Sequence, residues 1–294
     1  MQQTSNTQAL RETDRYTGKG VGIAILDTGI SPVEDFTMPR NRILVFRDFI
    51  HGGKHPYDDN GHGTHVTGIA CGNGWLSDGK YCGTAPLSHI IALKILDAHG
   101  QGTSAKAIHA MRWIMDNAAS YHIKVVNLSI GTNDRKVHVP LMEAVERLWH
   151  MGIVVVAAAG NPDGRDGYLP PPSLSPKILS VGAWEDKKYF APPKGFARFT
   201  GTSSGMPDLW APGEDIISVL SPDYNFSLQN RGRDKTVDQY YIRMSGASMA
   251  TPFVSGAAAC LLEKYPEASP AEVKRMLCSA AEQNGGLLPA HACL

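Results

Sequence analysis

The sequence predicts an α/β fold in which a parallel sheet is covered on both faces by helices. Six short, nearly continuous apolar runs are rich in β-branched residues, as expected of strands buried on both faces. Segments with apolar residues at helical spacing lie between them, as in residues 103–122 and 140–152. No Pro/Ser-rich or charged linker divides the 294 residues, so we predict one domain. The predicted strands are residues 21–26, 42–46, 90–96, 125–130, 153–159 and 178–184.

The composition limits the classes of partner and compartment. Lys and Arg number 28, as do Asp and Glu, so no net charge attracts nucleic acid or anionic lipid. The first twenty residues lack the apolar run of a secretion signal, and no apolar run is long enough to span a bilayer. We therefore expect a cytoplasmic protein if Met1 is the natural start, and a secreted one if the chain is a processed mature fragment. Five cysteines without a CxxC pair favour a reducing compartment over a disulfide scaffold or a zinc ribbon.

Two polar residues directly follow predicted strands. Ligands of α/β sheets bind at the carboxyl ends of strands, so these positions are candidate site residues. Asp27 follows the first strand, where it suits a Rossmann-type acid, a phosphoacceptor or a turn former. Asn161 follows the strand at 153–159 and is either a turn residue or a neutral amide donor that could face an oxyanion.

A pair of histidines, His62 and His65, lies in the segment DDNGHGTHVTGIACG. Two histidines three residues apart on a helix can bind a metal, so a metallohydrolase that uses both with Asp27 is one interpretation. The alternative is that Gly61 and Gly63 leave space for a substrate beside His62. The glycines favour this second interpretation, with His65 as a structural residue.

A single serine, Ser248, is surrounded by small residues in MSGASMATPFVSGAAACLL, residues 244–262. Helices tolerate proline in their opening turn, so Pro252 predicts a helix that begins close to Ser248. Unpaired N–H groups and the positive end of the helix dipole favour negative charge there. Ser248 is therefore either an ordinary N-cap or a nucleophile.

These four residues together match a site for acyl transfer. A serine hydroxyl needs a base, and imidazole titrates near neutral pH, so His62 would remove the proton of Ser248. A buried Asp27 would fix the imidazole tautomer. Asn161 and the backbone N–H of Ser248 would bind the oxyanion, and one such donor contributes about 3 kcal/mol to barrier lowering.

The motif set resembles that of the subtilisin-like serine peptidases over roughly residues 18–283, with their order Asp, His, Asn, Ser. Near the histidines, and in its lack of a secretion signal, the chain is most similar to the bacterial intracellular-type branch. The motifs that carry the resemblance are ILDTGIS, GHGTHVTGIA, NLSIG, AAAGN and SGASMATPFVSGAAA.

The resemblance implies a three-layer sandwich with a mostly parallel sheet of about seven strands, and endopeptidase activity on extended polypeptides through a Ser-His-Asp triad. A substrate would add as a strand along residues 128–131. Pocket walls from 129–131 and 157–160 carry no fixed charge, so we predict a preference for large apolar side chains at the scissile position and broad tolerance elsewhere. The expected substrate-binding residues are Leu128, Ser129, Ile130, Gly131, Ala158 and Gly160.

The chain departs from the family pattern in three places. Ala247 stands where the family usually has a threonine that assists the oxyanion hole, so we expect somewhat reduced activity. No pro-segment precedes the first strand, so folding is unassisted or a pro-segment is missing. The loop at 221–240 is long and could gate the cleft. We divide the chain into an N-terminal extension at 1–17, open to self-processing, a catalytic domain at 18–284 and a tail at 285–294.

The resemblance implies no cofactor for catalysis, but structural calcium is common in the family. Asp35 is a weak candidate ligand, with loop oxygens from residues 72–80. A rival from another class is an inactive subtilisin-like module that binds peptides. All three triad positions are filled, which favours the enzyme.

Overall fold

The computed structural model describes residues 16–131, 138–160, 170–184, 207–224 and 236–288. These residues form a seven-stranded sheet with the order β2-β3-β1-β4-β5-β6-β7, and every neighbouring pair is parallel. The predicted α/β class is confirmed. The strands are β1 Gly22–Asp27, β2 Ile43–Asp48, β3 His89–Lys94, β4 Ile123–Leu128, β5 Val154–Ala158, β6 Leu179–Trp184 and β7 Leu209–Pro212.

Helices cover both faces of the sheet and make the predicted three layers. Alternate residues of a strand point to opposite faces, so Ile23 and Ile25 of β1 lie in one core and Ala24 and Leu26 in the other. The first core contains buried residues of α2, α5 and α6, and the second those of α3 and α4. The helices are α1 Glu34–Thr37, α2 His62–Cys71, α3 Ser104–Asn117, α4 His138–His150, α5 Ala247–Lys264 and α6 Pro270–Gln283.

Local sequence signals explain where the helices begin and end. The hydroxyl of Thr103 accepts from the Lys106 N–H and caps α3. Ser269 and Glu272 form a capping box at the start of α6. Gly152, at φ 84°, follows the end of α4, as the sequence predicted. Within the described parts of the chain, none of the helices has the length and apolarity needed to cross a membrane.

Three strands were not predicted from the pattern. β7 has only four residues and ends in proline. The other two form an antiparallel pair, β8 Ile216–Val219 and β9 Tyr241–Met244, on either side of the segment predicted as a long loop. Residues 225–235 of that loop lie outside the described residues, so its gating role stays a prediction.

Residues near both predicted ends of the catalytic domain form hydrogen bonds to its helices or strands. The backbone N–H groups of Thr17 and Gly18 donate to Glu263 Oε2 of α5 at 2.6 and 2.7 Å. At the other end, the N–H of Leu288 donates to the carbonyl of Trp210 on β7 at 2.8 Å, and Leu288 is fully buried. Part of the predicted tail therefore packs on the sheet, while the domain boundaries themselves stay a prediction.

Candidate active site

The structure brings Asp27 and His62 together at the carboxyl end of the sheet. Asp27 ends β1 and His62 begins α2, and Asp27 Oδ1 lies 2.7 Å from His62 Nδ1. The Asp27 side chain is 1% exposed and that of His62 13%. Burial alone would lower the pKa of the imidazole, but the charge and hydrogen bond of Asp27 and the charge of Asp58 outweigh it, so the pKa of His62 is raised. The carboxylate therefore stabilises the imidazolium.

The hydrogen bond to Asp27 also selects the tautomer of His62. A carboxylate oxygen accepts, so Nδ1 carries the proton and Nε2 is left as the basic nitrogen. The backbone N–H of Thr28 donates to the same Asp27 oxygen at 2.7 Å and holds the carboxylate in place. Asp27 Oδ2 is buried and has no hydrogen-bond partner among the described residues.

The two glycines beside His62 serve the backbone, so our interpretation that they clear space for a substrate is wrong. A Cβ on Gly63 would lie 2.3 Å from the carbonyl oxygen of Gly29, because α2 packs directly on the chain that follows β1. Gly61 has φ 98°, and a Cβ there would lie 2.7 Å from the Tyr224 ring. Both glycines allow α2 to approach β1 and its neighbours closely.

Ser248 is the second residue of α5 and is half-buried. Its Oγ donates to the carbonyl oxygen of Ser129, just past the end of β4, at 3.1 Å. The prediction that the helix begins close to Ser248 is confirmed, since α5 begins at Ala247. Pro252 has no N–H for the Ser248 carbonyl four residues earlier, and the Ser129 hydroxyl donates to that carbonyl at 3.0 Å.

A buried polar chain behind Ser129 was missed by the sequence reasoning. Asn127 Nδ2 donates to Ser129 Oγ at 3.0 Å, and Ser255 Oγ donates to Asn127 Oδ1 at 2.8 Å. This chain connects β4 to the middle of α5, and Asn127 and Ser255 are both fully buried. It fixes Ser129, and with it the first turn of α5, against the sheet. The asparagine of NLSIG was its only signal in the sequence.

Three of the expected substrate-binding residues directly follow β4, and their role in binding stays a prediction. Ser129, Ile130 and Gly131 run from the end of β4 towards the surface, with Gly131 exposed. Leu128 differs, because its side chain is fully buried in the core that contains residues of α3 and α4. Its proposed contact with substrate therefore rests on its backbone.

Pro170, which was not considered in the sequence analysis, lies against two of the expected substrate-binding residues. A Cβ built on Gly131 or Gly160 would lie 3.0 or 3.1 Å from the Pro170 ring. The ring therefore lies between the two segments predicted to wall the pocket. Ala158, also predicted in this wall, ends β5 and is 5% exposed.

The described residues do not include Asn161, so its oxyanion role stays a prediction. The expected effect of Ala247 on rate is likewise a prediction; Ala247 is the first residue of α5 and is buried. Ser248 lies at the start of α5, where the sequence analysis expected backbone N–H groups and the helix dipole to favour negative charge.

His65 has a structural role. Its Nε2 lies 3.2 and 3.1 Å from the carbonyl oxygens of Ile216 and Ile242, so it donates to β8 and β9. Burial lowers the pKa of His65 to about 3. His62 instead directs Nδ1 to Asp27, so these hydrogen bonds of the two rings go to different partners. Across the described ranges, no cluster of three or more His, Cys, Asp or Glu could hold a metal.

Asp35 does not fit a calcium ligand in this arrangement. Its Oδ1 accepts from the Leu76 N–H and its Oδ2 from the Tyr241 hydroxyl, both at 2.8 Å. Calcium takes six to eight oxygens at about 2.3–2.6 Å, whereas both Asp35 oxygens already bind protein donors. Asp35 is fully buried, and burial raises its pKa. It ties the loop after α2 to β9.

A serine at a helix start and an imidazole oriented by a buried carboxylate, both at the carboxyl end of a parallel sheet, are the arrangement found in the subtilisin-like class of serine peptidases. Comparison with known proteins agrees. The subtilase family profile matches residues 18–293, and the chain belongs to that family.

Several characterised relatives are similar over nearly the whole chain. Serine protease AprX of Bacillus subtilis (strain 168) is 37% identical over 92% of this chain and 63% of its own length. Subtilisin Savinase of Lederbergia lenta is 32% identical over 92% of this chain and 86% of its own. The solved structure of Sphericase superposes with a TM-score of 0.75 at 25% identity, and 95% of this chain and 90% of that chain are covered. The chain thus spans less than two thirds of the length of AprX.

Proposed function

We propose that this chain is a serine endopeptidase that hydrolyses peptide bonds through an acyl-enzyme on Ser248. The observation that carries the proposal is the 2.7 Å contact of Asp27 with His62 Nδ1, at the same end of the sheet as Ser248. All the reacting groups are side chains or backbone of this chain, so the proposed reaction uses no cofactor.

The reaction begins when the Ser248 hydroxyl turns from the Ser129 carbonyl to His62 Nε2. As Oγ forms a bond to the substrate carbonyl carbon, its proton passes to Nε2. His62 then gives this proton to the leaving amine as the C–N bond breaks. A water molecule, deprotonated by His62, then attacks the acyl carbonyl carbon. The bond from this carbon to Ser248 Oγ breaks, Oγ takes the proton back from His62, and the carboxylic acid product leaves. Asp27 stays ionised and stabilises the imidazolium in both halves.

The oxyanion of each tetrahedral intermediate forms beside the start of α5. The backbone N–H of Ser248 and the positive end of the helix dipole favour negative charge there. We assign the second donor to Asn161, on the family resemblance. Loss of one such donor typically reduces kcat by about 10²–10³-fold.

We further propose a preference for large apolar side chains at the scissile position. The predicted pocket is bordered by Gly131, Gly160 and Pro170, and none of these carries a charge. The substrate would extend along residues 129–131 as an added strand, with backbone hydrogen bonds that are independent of sequence. Broad tolerance elsewhere follows from this mode of binding.

A peptide library tests activity and preference together. The protein is incubated with a proteome-derived library, and the new termini are read by mass spectrometry. We expect internal cleavage after large apolar residues, and none with Ser248→Ala or His62→Ala. Cleavage mainly after Arg or Asp would contradict the pocket assignment. No cleavage by the folded wild-type protein would contradict the endopeptidase proposal and favour the peptide-binding module.

A further inference from the structure

A second buried carboxylate, that of Asp58, lies beside the proposed acid–base pair. Its Oδ1 accepts from the Thr28 hydroxyl at 2.8 Å and from the N–H groups of Asn60 and Gly61 at 3.2 and 2.9 Å. Its Oδ2 accepts from the N–H and the hydroxyl of Thr64 at 2.8 and 2.6 Å. Asp58 is fully buried. All five partners donate, so the group acts only as an acceptor, as an ionised carboxylate does.

The first turn of α2 depends on these contacts. Its N-cap, Gly61, has no side chain, and the leading N–H groups of a helix have no partner within the helix. Asp58 accepts the N–H of Thr64, and the Thr28 hydroxyl oxygen accepts the N–H of Gly63 at 2.8 Å. Capping therefore comes from the preceding loop and from the residue that follows β1.

Thr28 joins this cap to the acid of the triad. Its backbone N–H donates to Asp27 Oδ1, while its hydroxyl donates to Asp58 and accepts from Gly63. Gly63 directly follows His62. A single threonine thus links the end of β1 to the first turn of α2, where the carboxylate and imidazole meet.

We propose that Asp58 and Thr28 are positioning residues for the general base: they fix the first turn of α2 against the end of β1 and so hold the His62 ring in line with Asp27. This inference rests on the proposed function of the site. Neither residue touches the reacting atoms in this account. Each acts through the placement of His62, and Asp58 acts also through its charge.

The charge of Asp58 adds an electrostatic effect. Burial lowers the pKa of His62, and Asp27 and Asp58 raise it. Loss of the Asp58 charge should therefore lower the pKa of His62, and the acid limb of activity should move to lower pH. Lys94 is paired with Asp59 at 2.6 Å, and burial lowers the pKa of His65 to about 3. Among the described residues, Asp27, Asp58 and His65 interact electrostatically with His62.

The first test is a matched pair at Thr28. Thr28→Val keeps the shape and removes the hydroxyl, whereas Thr28→Ser keeps the hydroxyl. We expect Thr28→Val to lower kcat by about 10–100-fold with KM within about twofold, because small misplacements of a catalytic group cost this much. Thr28→Ser should retain at least about half of kcat. Melting temperatures show whether each variant is folded.

The second test follows the imidazole itself and needs no activity. Histidine-labelled protein carrying Ser248→Ala, which prevents self-digestion, is titrated by NMR, with His62→Gln to assign the signal. Asp58→Asn should lower the titration midpoint of His62 by about 0.5–1 pH unit. Asp59→Asn, which removes a charge that is already paired with Lys94, is the control and should change it less.

The outcomes separate this inference from the proposed function. A folded Thr28→Val enzyme with wild-type kcat, or an Asp58→Asn protein with an unchanged His62 midpoint, overturns the positioning role. An inactive wild type counts against the proposed function alone, since the titration still reports on Asp58. If Asp58→Asn does not fold, the Thr28 pair decides.

Discussion

Ser129 and Ser248 exchange two hydrogen bonds: Ser129 Oγ donates to the Ser248 carbonyl at 3.0 Å, and Ser248 Oγ donates to the Ser129 carbonyl at 3.1 Å. The first bond exists because Pro252 has no N–H for that carbonyl. In the second bond, the hydroxyl of the proposed nucleophile, Ser248, is the donor. The same pair of residues thus fixes the start of α5 and sets the position from which the hydroxyl must turn.

Ser129→Ala should destabilise the protein, because it leaves the Ser248 carbonyl and the Asn127 side chain each without a partner from Ser129. We expect a loss of about 1–3 kcal/mol in the free energy of unfolding. Urea denaturation in the Ser248→Ala background measures this without self-digestion. The Ser129 carbonyl is unchanged, so the variant isolates the hydroxyl. Stability equal to the parent would contradict the assigned bonds.

Activity should fall in acid with a midpoint above pH 6.5, the ordinary pKa of histidine. The base must be neutral, and the raised pKa of His62 keeps it protonated to a higher pH than a free imidazole. The pH profile of kcat/KM for a neutral peptide measures this. In Asp27→Asn the residual activity should show an acid limb at lower pH, because a stabilising charge is removed. An acid limb below 6.5 in the wild type would refute this electrostatic account.

His65 should make the protein less stable as pH falls from about 6.5 to about 3. Its folded pKa is lowered to about 3 by burial, so in this interval the unfolded chain gains a proton that the folded chain does not. One proton corresponds to about 1.4 kcal/mol of unfolding free energy per pH unit. Denaturation at several pH values, in the Ser248→Ala background, should show a flatter dependence in His65→Gln. Parallel curves for the two proteins would exclude this role.

Gly131→Ala should narrow the proposed pocket. The added methyl would lie 3.0 Å from Pro170 Cγ, which is tighter than ordinary contact. We expect kcat/KM for substrates with Phe at the scissile position to fall about tenfold, with little change for Ala, since pocket volume discriminates by about 1–3 kcal/mol. A matched peptide pair differing only at this residue gives the ratio directly. An unchanged ratio would place the pocket elsewhere.

The parts of the fold that follow from local pattern could be predicted from the sequence. Six apolar runs became strands, and Asp27, His62 and Ser248 were found because each stands at a strand end or a helix start. β7 was missed because it has four residues, too few for a periodic signal. β8 and β9 were missed because they pair with each other across the long loop segment, which separates them in the sequence.

Contacts between residues far apart in the chain could not be predicted. From the sequence alone, Asp58 suggests a turn former; its hydrogen bond with the hydroxyl of Thr28, thirty residues earlier, exists only in the folded chain. In the sequence, Gly63 suggests open space beside His62, but in the fold the Gly29 carbonyl occupies that space. Asn127 and Ser255 are separated by 128 positions, and only packing of α5 on β4 makes them partners. Sequence pattern indicates the proposed reacting groups, whereas the residues that hold them emerge only from contacts between distant parts of the chain.

The central claim is that Asp27, His62 and Ser248 form one working triad. The most direct measurement is labelling with a fluorophosphonate probe, followed by peptide mapping, on wild type, His62→Ala and Asp27→Asn. We expect stoichiometric modification of Ser248 in the wild type and strongly slowed modification in both variants, because the serine needs an oriented base. Well-folded wild-type protein that takes no label, or that labels equally fast without His62, would contradict it.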